Sequence, residues 1–118
     1  MKSYIEFDVW IAARKLLGQV YAITDYFPKE KIYGIANQIR RCLVSVPYNI
    51  AEGCGRQITK DMSLFLYISR GSLHELETQL YLSNDLKFIS EEKLNNILSQ
   101  IETCKKLLNG FINYYRKL

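Results

Sequence analysis

Gln38-Ile39-Arg40-Arg41-Cys42-Leu43-Val44-Ser45-Val46-Pro47-Tyr48-Asn49-Ile50-Ala51-Glu52-Gly53-Cys54-Gly55-Arg56 is the stretch that decides the fold. Wound as a helix at about 100° per residue, it places Ile39, Leu43, Val46 and Ile50 on one side, with Ile32 and Ile35 ahead of them. Gln38, Arg41, Ser45, Asn49 and Glu52 gather on the opposite side. An ordinary surface helix needs only solubility from its outer face. This one carries charges and amides at helical spacing and ends at Gly53, which suggests a face with a partner. The plain alternative is a solvated face with incidental pairs, and residue types alone favour it.

Similar stripes extend in both directions. Trp10, Ala13, Leu17, Val20, Tyr21 and Thr24 predict a first helix from about Asp8 to Tyr26, with Asp8 as N-cap and Pro28 as the stop. The second helix is expected from near Lys31 to Glu52, with Gly53 in a left-handed C-terminal position. Pro47 removes the amide that would bond to the Leu43 carbonyl, so a bend or local break is expected there. Thr59 is the expected cap of a third helix reaching about Leu86, lined by Met62, Phe65, Ser69, Leu73, Leu76 and Leu80. Gly71 and Ser72 would let another backbone come close. Ser90 caps a fourth helix, striped by Leu94, Ile97, Leu98, Ile101, Leu108, Phe111, Ile112 and Tyr115, with Glu91 and Glu92 well placed for its dipole. Short connections favour antiparallel neighbours. The expected fold is all-α, an antiparallel up-down-up-down four-helix bundle forming one domain over residues 1–118.

Composition agrees. In 118 residues, 48% are hydrophobic and 24% charged, which suits a globular chain with a real core. Charges interrupt every apolar run before it could span a membrane, and the first residues lack the apolar centre of a signal peptide. The default location is the cytoplasm. Cys42, Cys54 and Cys104 are odd in number, far apart and without a CxxC spacing, so they read as small apolar residues.

Catalytic and metal-binding patterns do not assemble. A di-iron bundle needs an ExxH motif on two helices, whereas the single histidine, His74, follows Gly71 at that spacing and falls on an outer side. Glu75 and Glu77 diverge by roughly 200° on a helix, so separate salt bridges are expected of them. Ser45, Ser69 and Ser72 have no nearby histidine–acid pair, and Gly53-Cys54-Gly55 lacks the strand and the lysine of a phosphate loop. No enzyme, no catalytic or metal residues and no cofactor are expected.

Charge is distributed in blocks. The net charge of +4 comes from residues 29–60 at +4, 61–104 at −4 and 105–118 at +4, with 1–28 neutral. Such blocks can attract each other between chains or offer a basic rim to nucleic acid. The candidate phosphate contacts are Arg40, Arg56, Lys60, Lys105, Lys106, Arg116 and Lys117. Tyr48, Tyr67, Tyr81, Tyr114 and Tyr115 can stack bases beside them, though tyrosines on amphipathic helices more often edge a core or a subunit contact.

Two ordered motifs bear a family resemblance. The first is Gln38-Ile39-Arg40-Arg41, Ser45, Asn49-Ile50-Ala51-Glu52-Gly53 and Gly55-Arg56. The second is Gly71-Ser72-Leu73-His74-Glu75-Leu76-Glu77-Thr78-Gln79-Leu80. Together they resemble the four-helix-bundle proteins named after open reading frames in intervening sequences of bacterial 23S rRNA genes. Trp10, Tyr21, Phe27-Pro28, Glu30 and Tyr33-Gly34 fit the same pattern, which covers nearly the whole chain.

The resemblance implies a homopentamer without settled enzymatic activity. It also brings a relative, the accessory variability protein of diversity-generating retroelements, a basic pentameric barrel that binds nucleic acid and a reverse transcriptase. The expectation is a non-enzymatic oligomer contacting RNA or DNA through phosphates. Gln38, Arg41, Ser45, Asn49 and Glu52 would serve assembly or brace the connection between the second and third helices. The alternative is a structural or protein-interaction module, for example an accessory to a reverse transcriptase or another operon product.

Overall fold

The computed structural model describes residues 3–117, apart from the side chains of residues 31–33. Met1, Lys2 and Leu118, and the expected inner-face position of Ile32, lie outside that description. Four long helices carry the chain: α1 (Asp8–Thr24), α2 (Asn37–Cys54), α3 (Thr59–Asp85) and α4 (Glu91–Arg116). There is no strand among the described residues. Each helix packs on its sequence neighbours and α4 closes on α1, with the most extensive contact between α2 and α3. The body measures 45 × 24 × 20 Å.

The core follows the apolar stripes, with small rotations. α1 buries Val9, Ala13, Leu16, Val20 and Thr24, whereas Trp10 and Leu17 are half-buried and Tyr21 is exposed. α2 buries Ile39, Cys42, Leu43, Val46 and Ile50. α3 adds Leu66, Leu73, Leu76 and Leu80. α4 adds Leu94, Ile97, Ile101, Cys104, Leu108 and Ile112. Burial of these side chains drives the assembly of the helices.

Helix ends depart from expectation more than helix faces do. Asp8 and Thr59 are the first residues of their helices; the capping positions are Phe7 and Ile58, both extended and without a side-chain cap. Ser90 does cap α4, accepting from the Lys93 amide at 3.2 Å. α1 stops at Thr24, four residues before Pro28, because tightened turns take over: the amides of Asp25, Tyr26 and Phe27 donate to Ala22, Ile23 and Thr24. α2 begins at Asn37 rather than Lys31. A short 3₁₀ turn (Lys29–Lys31) and a wide turn (Ile32–Ala36) precede it, and Gly34 departs from helical geometry at φ −102°, ψ −115°.

α2 runs unbroken through Pro47, so of the bend or local break expected there the break does not occur. Gly53 is not left-handed; it is buried inside the helix, and Gly55 forms the C-cap at φ −83°. A Cβ at Gly53 would stand 3.1 Å from the Met62 carbonyl oxygen and 3.4 Å from the Phe65 Cβ. The glycine therefore lets the end of α2 meet the start of α3. α3 ends with Lys87 at φ 64°, where the Phe88 amide reaches back to the Ser83 carbonyl at 2.8 Å and the Lys87 amide to Asn84 at 2.9 Å. No helix of the described chain is long and apolar enough to cross a membrane.

Candidate functional site

The polar side of α2 is only partly an outer face. Gln38 and Arg41 are exposed. Ser45 and Asn49 are half-buried, and Ser45 meets α3. Ser45 Oγ lies 2.8 Å from Ser72 Oγ, and Asn49 Nδ2 donates to the Ser45 carbonyl and Oγ at 2.8 and 2.9 Å. Ser69 Oγ donates to the Val46 carbonyl at 2.7 Å, completing a hydroxyl-lined seam. Glu52 accepts from Arg56 one turn on, at 3.1 Å. The expected single polar face thus splits into an exposed part and a bracing part. Ser72 supports the close approach expected of it, whereas Gly71 is exposed and a Cβ there would meet nothing within 4 Å.

The seven basic candidates also divide. Arg40 is tied into the α1–α2 junction. It donates to Thr24 Oγ1 and to Asp25 Oδ1, both at 2.8 Å, and its guanidinium lies 4.5 Å from the Tyr21 ring centre. Lys105, with a side chain 14% exposed, pairs with Glu77 across α3 and α4 at 2.9 Å. Neither is the exposed phosphate contact that the sequence suggests. Arg56 is exposed but shared between Glu52 and the Phe65 ring, 4.6 Å away. Lys60, Lys106, Arg116 and Lys117 are exposed and make no ion pair among the described residues.

Arg56, Lys60, Arg116 and Lys117 belong to one end of the molecule. Cys54, Arg56, Met62 and Tyr115 line a common depression there with Ser3, Tyr4 and Phe7. It continues into a groove lined by Tyr4, Tyr48, Ala51, Glu52, Gly55 and Arg56. Lys106 lies apart, midway along α4.

The carboxylates diverge. Glu77 pairs with Lys105, and Glu75 accepts from the Cys42 thiol at 3.4 Å. Burial, then the bond to Glu75 and its charge, push the Cys42 thiol up to about 11. Burial alone raises Cys104 to about 11 and raises Cys54 as well. These thiols stay protonated near neutral pH, as the apolar reading of them requires. His74 is exposed, with Nδ1 3.0 Å from the Arg70 carbonyl of its own helix. No cluster of three metal-ligating side chains occurs among the described residues.

The family model described as 23S rRNA-intervening sequence protein matches residues 6–110. The chain belongs to this family. A solved crystal structure, of a protein with unknown function from the S23 ribosomal protein family of Bacteroides thetaiotaomicron, is similar with a TM-score of 0.82. The two are 23% identical over 89% of this chain and 95% of that one, a likeness of fold. No curated protein matches.

Within this member of the 23S rRNA-intervening sequence family, sequence reasoning missed Thr24, Asp25 and Ser69 as polar ties. Their partners are 16, 15 and 23 residues away, beyond any local spacing rule. A buried serine on an otherwise apolar stripe was the available signal at Ser69, because a buried hydroxyl needs a partner.

Proposed function

We propose that the protein is a non-enzymatic, cytoplasmic, self-assembling four-helix bundle, closing as a homopentamer whose ring presents basic side chains to the phosphates of RNA or DNA. The assembly element rests on the outer side of α3. Leu64, Ile68 and Leu82 are 57, 43 and 48% exposed, with Val44 of α2 exposed as well. Helical spacing puts Gly71 among them. An internal helix glycine costs about 1 kcal/mol relative to alanine. Nothing among the described residues accounts for it at Gly71, where a Cβ has open space. A neighbouring subunit approaching this strip closely would account for both the glycine and the exposed apolar groups. That bare glycine within an apolar strip is the observation that carries the proposal. Pentameric closure, and kinship with the retroelement accessory protein, come from the family resemblance.

The helices are antiparallel in this proposal, up-down-up-down. Support comes from the order of the cross-helix bonds. Cys42 with Glu75, Ser45 with Ser72 and Val46 with Ser69 run in opposite directions along α2 and α3. Arg70 with Asn109 and Glu77 with Lys105 do so along α3 and α4. The absence of enzymatic activity is supported by Glu75, Glu77 and His74 each serving a different local partner.

Light scattering coupled to size exclusion tests the assembly. The expected mass is that of five chains, and Gly71→Leu with Ile68→Glu should yield monomers that keep their helical circular dichroism. A monomeric unsubstituted protein at micromolar concentration in moderate salt overturns assembly. A different closed ring overturns only the pentamer. A second reading, a module binding another operon product such as a reverse transcriptase, is favoured by the intramolecular pairing of Arg40, Arg56 and Lys105. Anisotropy of labelled RNA and DNA at low salt separates the two, since only the first predicts binding.

A further inference from the structure

The groove at the end of α2 has a composition that neither assembly nor phosphate contact alone explains. Tyr4 and Tyr48 line it, and its remaining lining residues are Ala51, Glu52, Gly55 and Arg56. Ala51 and Gly55 carry little or no side chain, so the floor of the groove between the two tyrosines is small.

Tyr4 is pre-positioned. It sits in a 3₁₀ turn (Tyr4–Glu6) held by the Glu6 amide on the Ser3 carbonyl and the Phe7 amide on the Tyr4 carbonyl. Its ring stands edge-on to Trp10 with centres 5.5 Å apart. Tyr48 is 61% exposed and makes no aromatic pair among the described residues. Neither hydroxyl makes a hydrogen bond within the described chain. Arg56 is held in place from two sides, by Glu52 and by the face of Phe65. The Glu52 bond uses one terminal nitrogen, and a guanidinium has five N–H donors. Among the described residues Glu52 is the one carboxylate lining the groove, and Arg56 neutralises it.

We propose that this groove takes an unstacked base of a single-stranded nucleic acid between Tyr4 and Tyr48, with the adjoining phosphate toward Arg56. The proposal rests on the nucleic-acid reading above and narrows it to a strand type and a place. Aromatic faces beside cations are how proteins hold single strands without reading sequence. A duplex keeps its bases stacked and cannot fill such a groove. Lys60, Arg116 and Lys117 lie at the same end and extend the positive charge along the strand, with Asp61 in the first turn of α3 and Glu6 in the turn that carries Tyr4 opposing them. An apolar peptide would leave that charge unanswered.

Trp10, the only tryptophan, touches Tyr4 and so reports on the groove. The full chain is titrated with a thymine oligonucleotide, a uracil oligonucleotide and a duplex of equal length, following Trp10 emission and anisotropy. The single strands should change the emission. Tyr48→Ala should weaken their binding roughly tenfold, the effect of removing one stacking partner. Tyr48→Phe should restore it, and duplex affinity should not change in either variant. Tyr48 is exposed, so folding survives the change; Tyr4→Ala, checked by circular dichroism, is the second variant. Single-strand affinity unaltered by both alanine variants overturns the groove while leaving nucleic-acid binding intact. No binding of any probe by the unsubstituted protein at low salt overturns the underlying reading as well.

Discussion

Lys87 holds a left-handed backbone, φ 64°, at the close of α3. A side chain there costs about 1–2 kcal/mol that glycine avoids. Lys87→Gly should therefore raise stability by about 1 kcal/mol in urea denaturation. Gly53→Ala should do the reverse, by about 1 kcal/mol, because its Cβ would press on the Met62 carbonyl oxygen at 3.1 Å and a backbone atom yields little. Gly18→Ala serves as the control: a Cβ there meets nothing, so only the helix preference of about 1 kcal/mol remains, as a gain.

The thiols give a pH dependence. Cys42 and Cys104 ionise near 9 when unfolded and at about 11 in the fold. The folded state thus binds more protons between those values. Their contribution is complete below pH 9 and is lost as pH rises toward 11. Cys104→Ala should flatten that decline relative to the unsubstituted protein, measured as urea midpoints across the range. Single residues of this kind were legible only when the signal was local. Ser90 announced itself because its acceptor role spans three residues. Asp8 and Thr59 did not cap because extended Phe7 and Ile58 take that position one residue earlier. Nothing in the local sequence marks Lys87 as left-handed.

Whole helices are written in the sequence through apolar spacing, which is why all four were legible. Their junctions are not, because those depend on partners distant in the chain. Arg40 looked like a surface cation by charge and position, yet Thr24, Asp25 and Tyr21 hold it. Arg40→Ala should cost about 1–2 kcal/mol of stability by freeing the end of α1 from α2, with Asp25 discounted because it remains 67% exposed. Arg40→Lys should recover only part, since an ammonium cannot bond to two partners and lie flat on a ring. Lys106→Ala, on an exposed side chain without an ion pair, should change stability by less than about 0.5 kcal/mol. Chemical denaturation followed by circular dichroism compares the three. The delayed start of α2 has the same origin: its apolar spacing continues upstream, but the backbone at Gly34 leaves the helix.

At the scale of the molecule, under the proposed nucleic-acid role, the charges that remain after internal pairing would set the salt response. Joint reversal of Lys60, Lys106, Arg116 and Lys117 to glutamate should strongly weaken phosphate binding in anisotropy, with the oligomeric mass unchanged. For the unsubstituted protein, affinity should fall steeply with salt as counterions are released. Equal binding by the reversed variant would refute the phosphate role of these residues. The sequence placed these charges in blocks, but only the fold separates those already satisfied from those still available.

The serine seam between α2 and α3 has a consequence for how the molecule opens. Ser45, Ser69 and Ser72 join these two helices through neutral hydroxyls, beneath the most extensive interhelical contact. α1 and α4 lean on that pair through ion pairs at Asp25–Arg40 and Glu77–Lys105. In native-state hydrogen exchange, the central amides of α2 and α3 should then exchange only through global unfolding. Those of α1 should exchange through a smaller opening that leaves the α2–α3 pair standing as the most persistent cooperative unit.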